Sequence, residues 1–318
     1  KVHLSNVQNH CLNAKVIAAC SVKSKHKEFL KDSGVELYYN DYKQMIQEAQ
    51  IDAVIIASPT ALHYDHIVMA ARAGKHIFCE KPIDLNYEKV KIVSEIVETA
   101  GIHFMLGFNR RFDPHIIQLK KAINNGEAGV PRIVKITSRD PQPPPIDFIK
   151  NSGGLFFDMS IHDFDMARYL VDDEVVQVTA NGKVFGDLDM EKYDDIDTAV
   201  ITLIFKKGCM VQIDNSRYCS YGYDQRIEVF GEKGIVATQN VLENRLLKVN
   251  ELGHHSARAK YFFIERYSDS YRNELIDFVD TLQNKKSPSI SAEDGLASLA
   301  IAMAAKKSMK EKIPISIS

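Results

Sequence analysis

Over the first third of the chain, short apolar runs alternate with stretches of helical periodicity, and few folds accommodate that pattern. Residues 14–21 (Ala-Lys-Val-Ile-Ala-Ala-Cys-Ser) read as a strand covered on both faces, and residues 23–33 as a helix. A second apolar run at 52–57 ends on Ser58-Pro59-Thr60. Thr60 can cap a helix over 61–73, which Gly74 closes. The run 76–79 is the next strand, Asn86 can cap a helix that runs to Ala100 and ends at Gly101, and 103–107 is a further strand. Strands separated by helices of that length imply a parallel sheet built from βαβ units.

The pattern changes after Gly107. A helix near 113–124 precedes a strand at 132–139, and Pro141-Gln-Pro-Pro-Pro145 reads as a stiff, polyproline-like loop. A helix over 156–170 follows. From 174 to 249 the signal is mostly strand, with alternation in 198–205, 209–216 and 225–230, and Gly231-Glu-Lys-Gly234 looks like a hairpin turn. Helices at about 267–284 and 291–309 finish the chain. Strands that follow one another without helices suggest a largely antiparallel sheet, with one face covered by helices or by another subunit. The expected fold class is therefore α/β. A doubly wound parallel sheet, the dinucleotide-binding domain of residues 1–107, comes first. Residues 108–318 then form an α+β domain with a large, mostly antiparallel open sheet for substrate binding and oligomerisation. A length of 318 residues suits two cores better than one.

A dinucleotide-binding domain ordinarily opens with a strand and a G-x-G-x-x-G turn. That motif does not occur in the 318 residues, and Lys1-Val-His-Leu4 already reads as the helix after such a turn. The expectation is that the strand and its loop lie upstream. Lys and Arg total 40 against 42 Asp and Glu with no basic block, which argues against nucleic acid as a partner. Cysteines 11, 20, 79, 209 and 219 form no C-x-x-C pair and read as free thiols in a reducing cytoplasm. No apolar stretch approaches the roughly 18–20 residues that span a bilayer, so no membrane partner is expected. No signal peptide, repeat or low-complexity tract is evident.

Three side chains carry the chemistry in this reading. Lys81 ends a predicted parallel strand, where open α/β sheets bind their ligands, and Glu80 beside it could pair with it or touch a ribose. A surface ion pair explains the same two residues. Asp158 and His162 stand four apart on a helix rich in Phe, Met, Ile and Leu, so they share one face of a buried element. Asp158 could hold one ring nitrogen of His162 and leave the other as a base. A purely structural pair fits the spacing too, and Asp163, Asp165 and Arg168 fit a salt-bridge lattice. His63-Tyr-Asp-His66 offers ligand types at helical spacing, but no H-E-x-x-H or cysteine-rich set accompanies it. No metal is therefore expected, and His66 reads as a solvated helix residue. Ser21 ends the strand where an acidic residue would grip a ribose 2′-hydroxyl in an NAD enzyme. The run Ser21-Val-Lys23-Ser24-Lys25 carries a hydroxyl and two lysines instead, which suits a 2′-phosphate. NAD or NADP is the expected cofactor.

The segment Gly74-Lys-His-Ile-Phe-Cys-Glu-Lys-Pro82 resembles the Glu-Lys-Pro signature of the Gfo/Idh/MocA oxidoreductases, and Ser58-Pro-Thr60 with His63 resembles the segment that precedes it there. Three further runs look like the family's inositol 2-dehydrogenase branch. They are Gly107-Phe-Asn-Arg-Arg-Phe-Asp113, Ser138-Arg-Asp-Pro141 and Ser152-Gly-Gly-Leu-Phe-Phe-Asp-Met-Ser-Ile-His-Asp-Phe-Asp165, and Tyr221-Gly-Tyr-Asp224 fits it as well. The resemblance runs from Lys1 to about Gly234. It implies a nucleotide-binding domain, an open-sheet domain, and dimers or tetramers formed through that sheet. It puts Lys81, Asp158 and His162 on the catalytic positions and Arg110, Asp140 and Tyr223 near substrate-contacting ones. Ser21, Lys23, Ser58, Pro59, Thr60, His63, Glu80 and Lys81 are the implied cofactor contacts. The expected substrate is a cyclic polyol, myo-inositol first. A relative acting on another sugar, or a nucleotide sensor without turnover, would carry much of the same sequence.

Overall fold

Residues 1–23, 25–186 and 188–317 are described by a computed structural model, and they divide into two compact units. One comprises Lys1–Asn109 and Tyr271–Leu296, the other Arg110–Ser270 and Ala297–Ser318.

In the first unit the expected alternation is present: α1 (Val2–His10), β1 (Ala18–Cys20), α2 (Lys25–Asp32), β2 (Leu37–Tyr39), α3 (Tyr42–Glu48), β3 (Ala53–Ile56), α4 (His63–Arg72), β4 (His76–Glu80), α5 (Tyr87–Ala100) and β5 (Phe104–Gly107). β1 pairs with β2, and β3, β4 and β5 form a second sheet in that order; every pairing is parallel. Ile77, Phe78 and Cys79 of β4 are fully buried, as are Met105 and Leu106 of β5. Strands covered on both faces need continuous apolar runs rather than alternation, and these residues supply them. β1 is shorter and only half-buried. The local punctuation mostly matches its residue types. The Asn86 side chain accepts the Lys89 N–H at the start of α5, and Gly101 ends that helix at φ +64°. Gly74 follows α4 at φ +67°. Thr60 is a correction. It begins a 3₁₀ turn, Thr60–Leu62, set by the extended backbone of Pro59, and α4 starts at His63 without a side-chain cap.

The second unit holds α6 (Pro114–Asn124), β6 (Pro131–Arg139), α7 (Ile146–Ser152), α8 (Leu155–Asp158), α9 (Ser160–Val171), β7 (Val175–Lys183), β8 (Thr198–Phe205), β9 (Met210–Ser216), β10 (Asp224–Gly231), β11 (Gly234–Thr238), β12 (Leu247–Asn250), β13 (Gly253–Ser256) and α10 (Phe263–Arg266). Helices α11 (Ser268–Asn284) and α12 (Ala292–Glu311) and a short β14 (Ile315–Ser316) end the chain. Seven strands form one open sheet in the order β11-β10-β6-β9-β8-β7-β14. All its pairings are antiparallel except β6 with β9. Val134, Ile136, Ile201, Leu203, Val211, Ile213 and Val229 alternate onto the buried face, and α9 packs over β6 and β9. Gly231 and Gly234 close the β10–β11 hairpin as expected. The single helix expected over 156–170 is two pieces joined at Met159, which ends α8 and starts α9.

Candidate active site

In the first unit, the carboxyl ends of β1, β3 and β4 bring forward Ser21, Ser58-Pro59-Thr60 and Glu80-Lys81. The Ser21 hydroxyl lies 2.8 Å from His26 Nδ1 and accepts the Lys23 N–H. Ser24 and the Lys25 side chain lie outside the described residues. His63 is buried, with Nδ1 2.8 Å from the Pro82 carbonyl oxygen and Nε2 2.8 Å from that of Ser58. Its ring thus ties the loop after β3 to the loop after β4. His66 is not a solvated helix residue. It is half-buried against Tyr42, its Nδ1 is 3.1 Å from Ser58 Oγ, and burial lowers its proton affinity. Glu80 meets His3 at 2.6 Å. Burial opposes ionisation of Glu80, but the His3 contact and the charges around it hold its carboxyl below the usual range. Glu274 is fully buried close to both residues, and burial followed by the Glu80 charge raises its carboxyl well above the usual range. Hydroxyls, an ammonium and main-chain groups at the ends of parallel strands are the donor set that a dinucleotide's riboses and amide require, so these residues fit that cofactor.

In the second unit, the stretch carrying Asp158 and His162 opens with Gly153 and Gly154, both at positive φ (+83° and +92°). Asp195 Oδ1 accepts the N–H of Leu155 at 2.7 Å and that of Ile196 at 2.8 Å, so it holds the first turn of α8. Met159 donates to the Leu155 carbonyl at 2.9 Å, and its own carbonyl accepts the His162 N–H at 3.3 Å. Asp158 therefore ends one helical piece and His162 sits in the first turn of the next. Along residues 154–167, Asp158 and His162 are the two positions that are not buried. Phe156, Phe157, Met159, Ile161, Phe164 and Met166 fill the interior around them.

Asp158 Oδ2 lies 3.6 Å from Nη1 of Arg217, and Nη2 of the same guanidinium lies 3.7 Å from Asp195 Oδ2. A second buried network surrounds Arg110, which donates to Asp163 at 2.5 Å and to Ser138 Oγ at 3.2 Å. Asn215 donates to the other Asp163 oxygen at 2.8 Å, and Gln225 joins Ser138 to the Tyr267 hydroxyl. Tyr223 stands edge-on to Tyr267 at 5.9 Å. Half-buried Asp140 is held within reach of these charges. Burial pushes its carboxyl up to about 6, with Arg110 and Arg217 pulling down and Asp158 and Asp163 pushing up. Asp165 pairs with Arg111, and Arg168 with Glu174, as the salt-bridge reading of α9 expects.

Sequence reading passed over Arg217, Asp195, Asn215 and Gln225. A signal for two of them was present. Val211, Ile213, Asn215 and Arg217 follow one another at strand period, and all four are buried. Polar residues that continue an apolar stripe need partners, so Asn215 and Arg217 mark a polar cluster at that end of β9.

Residues 1–108 match the model of the Gfo/Idh/MocA oxidoreductase family's NAD-binding Rossmann fold, and residues 120–317 match that of its C-terminal alpha/beta domain. The chain belongs to the Gfo/Idh/MocA oxidoreductase family. Residues 1–108 are thereby an NAD-binding Rossmann domain. The chain is 46% identical to the myo-inositol 2-dehydrogenase of Thermotoga maritima over 286 residues, 90% of this chain and 86% of that one. It is also 46% identical to the inositol 2-dehydrogenase of Rhizobium meliloti over 269 residues, 85% and 82% of the two chains. A crystal structure of scyllo-inositol dehydrogenase from Lactobacillus casei with bound NAD(H) and scyllo-inositol superposes with a TM-score of 0.93. It is 32% identical, with 99% of this chain and 95% of that chain covered.

Proposed function

We propose that this chain oxidises a ring hydroxyl of a cyclic polyol, myo-inositol first, to the ketone. The observation that carries the reading is the pair Asp158 and His162, which alone keep solvent access along a buried stretch. The likeness to inositol dehydrogenases supplies the substrate class. Buried carboxylates and guanidinium groups around Arg110, Asp140 and Asp163 suit a ring that presents a hydroxyl on every carbon.

Ser21, Lys23, the Ser58-Pro59-Thr60 turn and the Glu80–Lys81 end of β4 would hold NAD, which would supply the hydride acceptor. The chain's own residues manage the proton. Neutral His162 removes it from the reacting hydroxyl, and Asp158 orients the imidazole and stabilises the imidazolium. Lys81 donates to the reacting oxygen and disfavours premature protonation of the base. His63 acts on the cofactor through the loops it joins. Arg110, Asp140 and Tyr223 orient the ring. General-base assistance of this kind contributes about 10²–10⁴ in rate, and the cofactor carries the harder step.

Two further assignments belong to the same reading. Val200, Met210 and Phe230 are exposed on the open sheet, which suits a homo-oligomer, dimer or tetramer, assembled through that face. Five free cysteines suit a reducing cytoplasm, and no helix among the described residues is long and apolar enough to cross a membrane. A spectrophotometric panel of inositols and hexoses with NAD and NADP tests the activity. The reading requires the highest kcat/KM on an inositol. A higher value on a hexose overturns the substrate assignment, and no turnover on any polyol overturns the activity.

A further inference from the structure

We infer that Arg217 and Asp195, which no sequence motif marks, are the positioning residues of Asp158. The inference rests on the oxidoreductase reading, because positioning has meaning only if Asp158 works on a base.

The connections form a closed circuit. Asp195 Oδ1 accepts the Leu155 N–H and fixes the first turn of α8, and α8 ends at Asp158. The other Asp195 oxygen faces Nη2 of Arg217 at 3.7 Å, and Nη1 of Arg217 faces Asp158 at 3.6 Å. The main chain completes the tie, since the Arg217 N–H donates to the Asp197 carbonyl at 2.8 Å. Asp195 thus sets where the helical piece begins, and Arg217 sets where its last carboxylate stands. The position is also costly in itself. Arg217 is wholly buried, and its Nε and Nη2, with Asp195 Oδ2, have no hydrogen-bond partner among the described residues. A buried ion pair is poor evidence for stability, because apolar residues of similar volume often do as well. What an apolar residue cannot do is hold a carboxylate at one place and balance its charge. Asp140 feels the same guanidinium, so the group also reaches the edge of the polyol-binding cluster.

Two readouts test this, one independent of turnover. The first is a double-mutant cycle between Arg217→Met and Asp158→Asn, read as urea midpoints. Neighbours that interact are non-additive, whereas independent sites add. The second compares kcat, polyol KM and NAD affinity in Arg217→Met, Arg217→Lys and Asp195→Asn. Asparagine keeps the acceptor for Leu155 and loses only the charge, so this variant serves if Arg217→Met does not fold. We expect non-additive midpoints and a fall in kcat of up to about 10²-fold for Arg217→Met, the scale of an ångström's misplacement in an active site. NAD affinity should hold, Arg217→Lys should recover most of the loss, and Asp195→Asn should lower kcat by a smaller factor. Additive midpoints overturn the contact. Non-additive midpoints with kcat unchanged make the circuit merely structural and overturn the positioning role. A parent protein inactive on every polyol overturns the oxidoreductase reading instead, and the positioning role with it, while the midpoints still decide the contact.

Discussion

Asp195 and Leu155, forty residues apart in the chain, share a 2.7 Å hydrogen bond from the Leu155 N–H to the aspartate Oδ1. A helix start exposes N–H groups that nothing within the helix can accept, and a carboxylate at that end satisfies them and complements the helix dipole. Here the carboxylate comes from a loop between strands, so the helical piece bearing Asp158 is fixed by tertiary structure rather than by its own cap.

Gly154 is the place where that arrangement is tightest. It holds φ +92°, and a Cβ there would stand 2.7 Å from Asp195 Oδ1. Gly154→Ala should therefore cost about 1–3 kcal/mol of stability from backbone strain, before the displaced carboxylate is counted. It should also lower kcat more than it raises KM for NAD. Thermal unfolding and steady-state kinetics on the same preparation check both parts, and a variant as stable and active as the parent would contradict the packing.

Glu274 supplies a pH test of the first unit. Its carboxyl is raised well above the usual range, first by burial and then by the Glu80 charge. A group with a raised folded-state value contributes stability that is fully present below its unfolded value of about 4.3 and lost as pH rises through the folded value. Glu274→Gln keeps the shape and cannot ionise. The difference in Tm, variant minus parent, should be smallest at acid pH and grow toward alkaline pH. Melting curves from pH 5 to 9 that stay parallel would show that Glu274 carries no such penalty.

In the proposed reading, Ser21 governs cofactor choice. A carboxylate there would face the 2′-phosphate of NADP with like charge, while it could accept from the 2′-hydroxyl of NAD. Ser21→Asp should lower kcat/KM for NADP by at least about tenfold and leave NAD within a few-fold. An equal effect on both cofactors would remove Ser21 from the adenosine end.

β4 and β5 were legible because they are buried on both faces, and Ile77-Phe78-Cys79 can be little else. The caps at Asn86 and Gly101 were legible because one side chain or one missing Cβ decides them. β2 and α3 were not, since Leu37–Tyr39 is three residues long and too short to show a period. The break at Met159 was hidden for a related reason. Apolar residues on both sides of it continue the helical pattern, and the interruption lies in main-chain geometry that no residue type announces. Helical periodicity over 268–284 could not reveal that residues 271–296 belong to the unit formed by the first 109. In the proposed site, Asp158 and His162 were legible as polar residues in an apolar run. Arg217, which faces Asp158, and Asp195, which holds the start of α8, come from remote strands and loops, and only the register of β9 hinted at the first of them.

The most direct test of the account is the His162→Ala variant, with kcat on myo-inositol and NAD affinity measured side by side. The account predicts that kcat falls by about 10²–10⁴ while the dissociation constant for NAD stays within twofold. Turnover equal to that of the parent would contradict it.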